Sequence, residues 1–235
     1  MTTGRLLNVG GFTPFTATDY PGRLAAVVFV QGCAWRCAYC HNPHLQPRPV
    51  RSALDWGDIL VTLERRRGLL DAVVFSGGEP TTDPCLPDAM RAVRALGFEV
   101  GLHTACIYPD RLRAVLPLTD WVGFDIKAPF DDYASVTGVP GSGTVARACV
   151  EAIIASGVPS ECRTTVHPDL LSPQALLRMG GELAALGVVH YVIQQFRPQG
   201  CADARLRLAT GVPYPPEDTV AGLRRRFPSF LLRHA

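Results

Sequence analysis

Lysine is almost absent from this chain of 235 residues: of its 23 basic residues, Lys127 alone is lysine and the others are arginine. Such a bias is typical of GC-rich codon usage, so the single exception marks a position to examine. An excess of charge is lacking as well, because 21 acidic residues leave a net charge of +2. A chain this close to neutral shows no electrostatic footprint of a nucleic-acid-binding protein.

Long hydrophobic runs are also missing. The longest clean apolar run, residues 24–30, is far too short to cross a bilayer, which takes about 20 apolar residues. No continuous apolar stretch follows the first five residues, so we expect no signal peptide and a cytoplasmic protein without a membrane partner. Apolar residues still make up 47% of the chain, which is enough to bury a core.

The cysteines do not follow the pattern of a disulfide framework, although the chain has eight of them. Structural disulfides belong to secreted proteins, and no export signal is visible. Cys33, Cys37 and Cys40 are crowded into one short segment, whereas the other five are scattered without paired spacing. The pattern indicates one metal site and otherwise ordinary buried thiols.

Short β-branched runs alternate with longer segments of helical periodicity. The strand-like runs are residues 24–30, 72–75, 99–102, 121–125, 163–166 and 190–194. This alternation predicts a parallel α/β sheet, either open and doubly wound or curved into a barrel. In both architectures the loops after the strands meet at the carboxyl ends, where we expect the chemistry. We expect one domain over residues 1–235, with a core at about 20–200 and a C-terminal helical extension at about 212–235.

The cysteine segment directly follows the first predicted strand with the spacing C-x3-C-x2-C. Iron–sulfur clusters take cysteine thiolates, normally four, so three of them leave one iron open to an outside ligand. A structural zinc ion with His41 or His44 as fourth ligand is one alternative, and three unliganded buried thiols are another. Zinc motifs usually bring a second ligand pair, which this chain lacks, so the spacing favours the iron–sulfur cluster.

Two further polar segments follow predicted strands. Gly77, Gly78 and Glu79 come after the second strand, where glycine lets the backbone approach a ligand and a carboxylate suits an ammonium group; a simple turn is the alternative. Asp125 and Lys127 end the fourth strand and point to one face. They form either a structural ion pair or a site for a ribose hydroxyl and a carboxylate, where arginine does not replace a compact ammonium.

Together these segments resemble the radical S-adenosylmethionine (radical SAM) superfamily. The resemblance implies one 4Fe–4S cluster on Cys33, Cys37 and Cys40, with S-adenosyl-L-methionine bound at the open iron. It implies cosubstrate contacts from Tyr39 (against the adenine), Gly77, Gly78 and Glu79 (at the methionyl amino group), Thr104, Asp125, Lys127, Arg163 and Gln195.

Two of these positions leave alternatives open, and one neighbour departs from the family pattern. Arg163 and Gln195 suit core hydrogen-bonding residues equally well. His103 stands where relatives often have aspartate, so no contact of that aspartate is carried over to it.

The segments at 10–22, 40–43 and 195–198 resemble, more narrowly, the activating proteins of anaerobic ribonucleoside-triphosphate reductase. That resemblance implies a partial (β/α)6 TIM-like barrel without a second cluster domain. It implies an enzyme that cleaves S-adenosylmethionine reductively to a 5′-deoxyadenosyl radical, with Cys33, Cys37, Cys40 and Lys127 as catalytic residues.

The implied partners are the large reductase subunit, whose backbone glycine becomes a glycyl radical, and a small reduced electron-transfer protein. Activation of another glycyl-radical enzyme, or chemistry on a small molecule, is the alternative with the same cofactors. A zinc-stabilised binding module is the alternative without catalysis.

Overall fold

The strands form one sheet in which each strand lies next to its neighbour in sequence. The computed structural model describes residues 6–49, 52–207 and 213–234. In these residues the strands are β1 (Val9–Thr16), β2 (Ala25–Val30), β3 (Ala72–Gly77), β4 (Glu99–Thr104), β5 (Trp121–Asp125), β6 (Ser160–Val166), β7 (His190–Gln195) and β8 (Ser229–Arg233). β1 is antiparallel to β2, and every later pair is parallel. The predicted partial barrel of mostly parallel strands is confirmed, with β2 to β7 as its six predicted strands.

The helices connect successive strands, as parallel pairing requires. They are α1 (Trp56–Glu64), α2 (Leu86–Ala95), α3 (Pro109–Val115), α4 (Ala134–Thr137), α5 (Ser142–Ser156), α6 (Pro173–Ala185) and α7 (Glu217–Arg224). Asp55 caps α1 by accepting hydrogen bonds from the backbone of Gly57 and Asp58. Ser172 caps α6 in the same way through Ala175.

Both faces of the sheet are buried, which is why its strands are almost continuously apolar. Along β2, Ala26 and Val28 belong to the large core under the helices, whereas Ala25 and Val27 belong to a small core on the inner face. Tyr20 completes this inner core by stacking on Trp121 with ring centroids 5.2 Å apart. The inner face is therefore filled at the amino-terminal ends of the strands.

The C-terminal region contains a strand as well as a helix. The sequence predicts a helical extension at about 212–235, and the structure has α7 followed by β8, which pairs with β7. Residues 208–212 and 235 of that region lie outside the described part of the chain. In the described ranges, none of the helices has the length and apolar character needed to span a membrane.

Candidate active site

A cavity of about 190 Å³ lies at the carboxyl ends of the parallel strands, opposite the Tyr20–Trp121 pair. Most of the residues that the sequence predicts for the site line it. They are Cys33, Cys37, Tyr39, Cys40, Gly77, Gly78, Thr104, Asp125, Lys127 and Arg163. The fold thus brings together residues at or just after the carboxyl ends of β2, β3, β4 and β5, together with Arg163 from β6.

The cysteine loop, residues 31–43, is held by backbone hydrogen bonds on two sides. On one side the amide of Cys33 donates to the carbonyl of Gln46 at 3.0 Å. On the other side the amide of Arg36 donates to the carbonyl of Thr137, also at 3.0 Å. These bonds anchor the cysteine loop to two other parts of the chain.

The three thiols of this loop are free and partly exposed. Burial raises the pKa of Cys33 to about 12 and also raises the pKa of Cys37 above its usual value. The ammonium group of Lys127 acts against both shifts without cancelling them. A metal centre that binds these sulfurs therefore displaces protons. A set of three soft sulfur donors on one cavity wall fits a cluster that takes each thiolate at a different iron.

A single zinc ion is less compatible with the same residues. In the part of the chain that the structure describes, no three histidine, cysteine, aspartate or glutamate side chains are placed to hold one metal ion. His41 stacks on Phe196, and its Nε2 lies 2.9 Å from the carbonyl oxygen of Arg197, while His44 is exposed. The geometry gives the zinc alternative no support, whereas cluster thiolates need not converge on one point.

The single lysine of the chain has its ammonium group inside this cavity. The Nζ of Lys127 lies 3.8 Å from Asp125 Oδ2 and 5.4 Å from the ring centre of Tyr39, and the residue is only 5% exposed. Burial acts to lower the pKa of Lys127, but Tyr39, Cys37 and Asp125 outweigh that effect and hold it above its usual value. The group is therefore a buried positive charge at neutral pH, suited to a ligand carboxylate.

Asp125 lies between two cations. Its Oδ1 accepts a hydrogen bond from Arg163 Nε at 3.1 Å, and its Oδ2 faces Lys127. Burial acts to raise the pKa of Asp125, but Arg163 and Lys127 lower it below its usual value, so the carboxylate is ionised. The pairing of β5 with β6 places Asp125 directly opposite Arg163. The three groups together carry one net positive charge and a carboxylate that is 40% exposed, which suits a ligand with both a carboxylate and hydroxyls.

His103, the position that departs from the family pattern, is an uncharged member of the same wall. Burial and the nearby Arg163 lower the pKa of His103 to about 3, so the imidazole is neutral at physiological pH. Its Nε2 lies 2.8 Å from the carbonyl oxygen of Asp19, so Nε2 carries the proton and donates it. The Arg163 Nη1 atom, 3.3 Å from the same nitrogen, then makes a packing contact rather than a hydrogen bond. A neutral imidazole tolerates the guanidinium beside it without adding charge.

Gly77 and Gly78 line the cavity, and the cysteine loop also requires them to be glycine. Gly77 has a φ of +119°, and a Cβ there would lie 2.4 Å from the carbonyl oxygen of Val30. A Cβ on Gly78 would lie 2.4 Å from the carbonyl oxygen of Gly32. The loop after β3 therefore packs backbone to backbone against the start of the cysteine loop, and this contact leaves no space for a side chain.

Glu79 is not among the lining residues, because its side chain points into the wall. The residue has no exposed surface, and its carboxylate accepts hydrogen bonds from the amide and hydroxyl of Thr81, from Thr104 Oγ1 and from the amide of Ala105. Burial raises the pKa of Glu79, while these hydrogen bonds oppose the shift. In this structure Glu79 links the loops after β3 and β4 and offers no free oxygen to the cavity; the same network involves the hydroxyl of Thr104.

A second cavity of about 540 Å³ adjoins the first and shares His41, His103, Arg163 and Thr165 with it. Gln195, predicted as a cosubstrate contact, lines this second cavity instead of the first. The remaining lining residues are Thr18, Asp19, Pro21, Gln194, Arg197, Arg233 and His234.

The amide of Gln195 is already engaged, since Nε2 donates to the carbonyl of Tyr214 at 2.8 Å and Oε1 lies 3.3 Å from His234 Nδ1. The sequence indicates the segment that contains Asp19 only through a family likeness. It did not single out Arg233, which arrives on the unpredicted strand β8.

Comparison with known proteins adds a family to this geometry. Residues 27–174 match a family model described as the radical SAM superfamily. A candidate glycyl-radical enzyme activating enzyme of Methanocaldococcus jannaschii is 28% identical over 227 residues, which cover 92% of this chain and 89% of that protein. The pyruvate formate-lyase-activating enzyme of Streptococcus mutans is 30% identical over 223 residues, which cover 86% of this chain and 81% of that protein.

The fold has solved counterparts at low sequence identity. The coproporphyrinogen III oxidase of Escherichia coli, described as a radical SAM enzyme, superposes with a TM-score of 0.64 at 15% identity. The superposition covers 89% of this chain and 54% of that one, so the likeness shows a shared barrel within a longer protein.

Proposed function

We propose that this chain, which belongs to the radical SAM superfamily, is an activating enzyme that generates a glycyl radical on a partner protein. The observation that carries the proposal is the likeness, over most of its length, to two proteins named as activating enzymes of glycyl-radical systems. The described cavity supports it, because thiols, a buried ammonium and a carboxylate meet at the carboxyl ends of the strands.

In the proposed enzyme, Cys33, Cys37 and Cys40 hold a 4Fe–4S cluster. A cluster held there would supply, when reduced and bound, one electron to the sulfonium of S-adenosylmethionine, and with three protein thiolates it would have room for an outside ligand. The overall reaction consumes one electron and S-adenosylmethionine and removes a hydrogen atom from a glycine Cα. It leaves methionine, 5′-deoxyadenosine and the glycyl radical.

The protein's own groups bind and orient the cosubstrate. Lys127 pairs with its carboxylate, and Asp125, held by Arg163, accepts from a ribose hydroxyl. The backbone of Gly77 and Gly78 meets the amino group of the cosubstrate at the open end of β3. These groups exclude water around the reacting carbon and fix its position relative to the second cavity.

Tyr39, Thr104, Glu79 and Gln195 take more distant parts in the proposal. The Tyr39 ring, buried beneath Lys127, packs against the adenine. Thr104 and Glu79 act through the loops that they join, since their polar atoms bind one another. Gln195 contributes to the second cavity, which we assign to the partner's glycine segment.

The first candidate for that partner is the large subunit of an anaerobic ribonucleoside-triphosphate reductase. The segments at 10–22, 40–43 and 195–198 support this choice through their likeness to the activating proteins of that reductase. A different glycyl-radical enzyme is the second candidate, favoured by the likeness to a pyruvate formate-lyase-activating enzyme.

The decisive experiment is anaerobic reconstitution with iron and sulfide, followed by electron paramagnetic resonance. The expected results are a brown protein, a reduced-cluster signal that changes on adding S-adenosylmethionine, and a glycyl-radical doublet after adding the candidate subunit and a reduced electron-transfer protein. Cys33→Ala should lose the cluster, whereas Cys149→Ala, which removes a buried thiol of the core, should keep it. A colourless protein that holds one zinc ion would refute the enzyme, and cosubstrate cleavage without a doublet would refute the chosen partner.

A further inference from the structure

The peptide that carries Lys127 extends beyond the end of β5, where the regular sheet no longer holds it. β5 ends at Asp125, and the next residue is still bonded to β6: the amide of Ile126 donates to the carbonyl of Arg163 at 2.9 Å, and its carbonyl accepts from Thr164 Oγ1 at 2.7 Å. The amide of Lys127 lies one step further on, in a residue that is only 5% exposed. A buried amide must find an acceptor, because an unpaired one destabilises the fold.

Tyr133 supplies that acceptor from the loop after β5. Its hydroxyl oxygen accepts from the amide of Lys127 at 3.1 Å and donates to the carbonyl of Asp125 at 3.4 Å. The side chain has no exposed surface, so water does not replace it in either bond. One hydroxyl thus spans the backbone of Asp125 and Lys127, which both line the cosubstrate cavity.

The ring of the same tyrosine contacts the cysteine loop. Trp35, which stands between Cys33 and Cys37, meets Tyr133 edge to face with centroids 5.4 Å apart, and it is also buried. Such aromatic pairs contribute beyond the area that they bury. The Tyr133 side chain therefore contacts the end of β5 through its hydroxyl and the cysteine loop through its ring.

The short helix that begins after Tyr133 fixes the cysteine loop a second time. The carbonyls of Val136 and Thr137 accept from the amides of Ala38 and Arg36 at 3.2 and 3.0 Å. Residues 133–137, which we name the bracing segment, therefore contact the cysteine loop through one ring and two backbone carbonyl groups.

We propose that Tyr133 is a positioning residue that sets the Asp125–Lys127 pair relative to the cysteine loop. The inference rests on the proposed function, because it concerns how the cluster and the cosubstrate are brought together. A ligand that binds an iron at one side and Lys127 at the other is sensitive to the separation of the two segments. Freeing the backbone of Lys127 should therefore weaken cosubstrate binding more than cluster binding.

The test is Tyr133→Phe, which keeps the ring against Trp35 and removes only the hydroxyl. The iron and sulfide content and the visible absorption of the reconstituted protein should match the wild type. The Kd for S-adenosylmethionine, measured from its effect on the resonance signal of the reduced cluster, should rise by about threefold to tenfold, because part of the free energy lost with the two hydrogen bonds of the hydroxyl is expressed as weaker cosubstrate binding. The change in that signal at saturation should also differ from the wild type.

Tyr20→Phe is the matched control. The Tyr20 ring is likewise buried, its hydroxyl lies near Glu99, and the ring stacks on Trp121 at the amino-terminal end of the strands. Tyr20→Phe should lower the unfolding temperature of the apoprotein and leave the Kd for S-adenosylmethionine unchanged.

Each outcome decides one point. If Tyr133→Phe has the cosubstrate Kd and the resonance signal of the wild type, Tyr133 has no positioning role. If Tyr133→Phe neither folds nor holds the cluster, the role of the hydroxyl is structural, which also overturns the proposal. A wild type that binds and cleaves S-adenosylmethionine but forms no glycyl radical on any tested partner would refute the proposed function alone. The Kd comparison needs only cluster and cosubstrate, so it still decides the role of Tyr133 in that case.

Discussion

Replacing Lys127 by arginine keeps the positive charge but enlarges the group that carries it. Lys127 is 5% exposed, and its ammonium group lies 3.8 Å from the Asp125 carboxylate and 5.4 Å from the ring centre of Tyr39. The larger, planar guanidinium would project into the cavity that we assign to the cosubstrate, and overpacking of this kind costs about 1–3 kcal/mol. If Lys127 holds the cosubstrate carboxylate, that cost appears as a Kd about 5- to 150-fold higher.

Lys127→Met separates charge from size. It removes the ammonium with little change in length, and a hydrogen bond to a charged group contributes about 1.5–3 kcal/mol. The Kd for S-adenosylmethionine should therefore rise about 10- to 100-fold, with methionine and 5′-deoxyadenosine formation falling in parallel. Asp125 keeps Arg163 as a partner in both variants, so the fold and the cluster content should be retained.

The assay is a titration of the reduced cluster protein with S-adenosylmethionine, followed by resonance spectroscopy, with product quantified by chromatography. The raised pKa of Lys127 predicts that its charge, and hence this contribution to binding, persists from pH 6 to pH 9. Wild-type affinity in both variants would show that Lys127 serves only the ion pair with Asp125. If Lys127→Met loses affinity for S-adenosylmethionine and Lys127→Arg keeps it, binding depends on the positive charge and not on the compact shape of the ammonium group.

Three further outcomes follow from the same geometry. Glu79→Gln should lower the free energy of unfolding by about 2 kcal/mol or more, measured by urea titration of the apoprotein, because an amide cannot accept from all the donors that now surround the carboxylate. Gly78→Ala should lower the unfolding temperature, because its Cβ would meet the Gly32 carbonyl. Gly181→Ala, in α6 with open space around it, should raise the unfolding temperature slightly. Equal effects of the two substitutions would contradict the packing argument. The raised pKa of Cys33 means that the folded apoprotein holds the thiol proton more tightly than the unfolded chain does. The free energy of unfolding should therefore fall as the pH rises from about 8.5 towards 12. Cys33→Ala should reduce that fall.

Local patterns predicted many of the residues that line the cavity, because each pattern depends on neighbours in sequence. The spacing of Cys33, Cys37 and Cys40 places three thiols on one loop whatever the rest of the chain does. Strand periodicity placed Asp125 and Lys127 on one face at the end of β5, and the structure has them there. The family match confirms the superfamily that these patterns indicated.

Strands at the edges of the sheet escaped the same reasoning. β1 contains two glycines and a proline, so its composition argues against a strand, and its pairing with β2 compensates. β8 is short and partly exposed, and it follows a helix closely. Its consequence for the site is large, because Arg233 and His234 reach the second cavity through it.

By itself the sequence determined which chemical groups the site offers and in which order the strands deliver them. Only the tertiary structure decided which way Glu79 and Gln195 point, and that Tyr133 touches both the cysteine loop and the backbone of Lys127. The physical reason is that burial and hydrogen-bond pairing are settled between segments distant in sequence. A carboxylate or amide is free to bind a ligand only where the folded chain has left it without a closer partner.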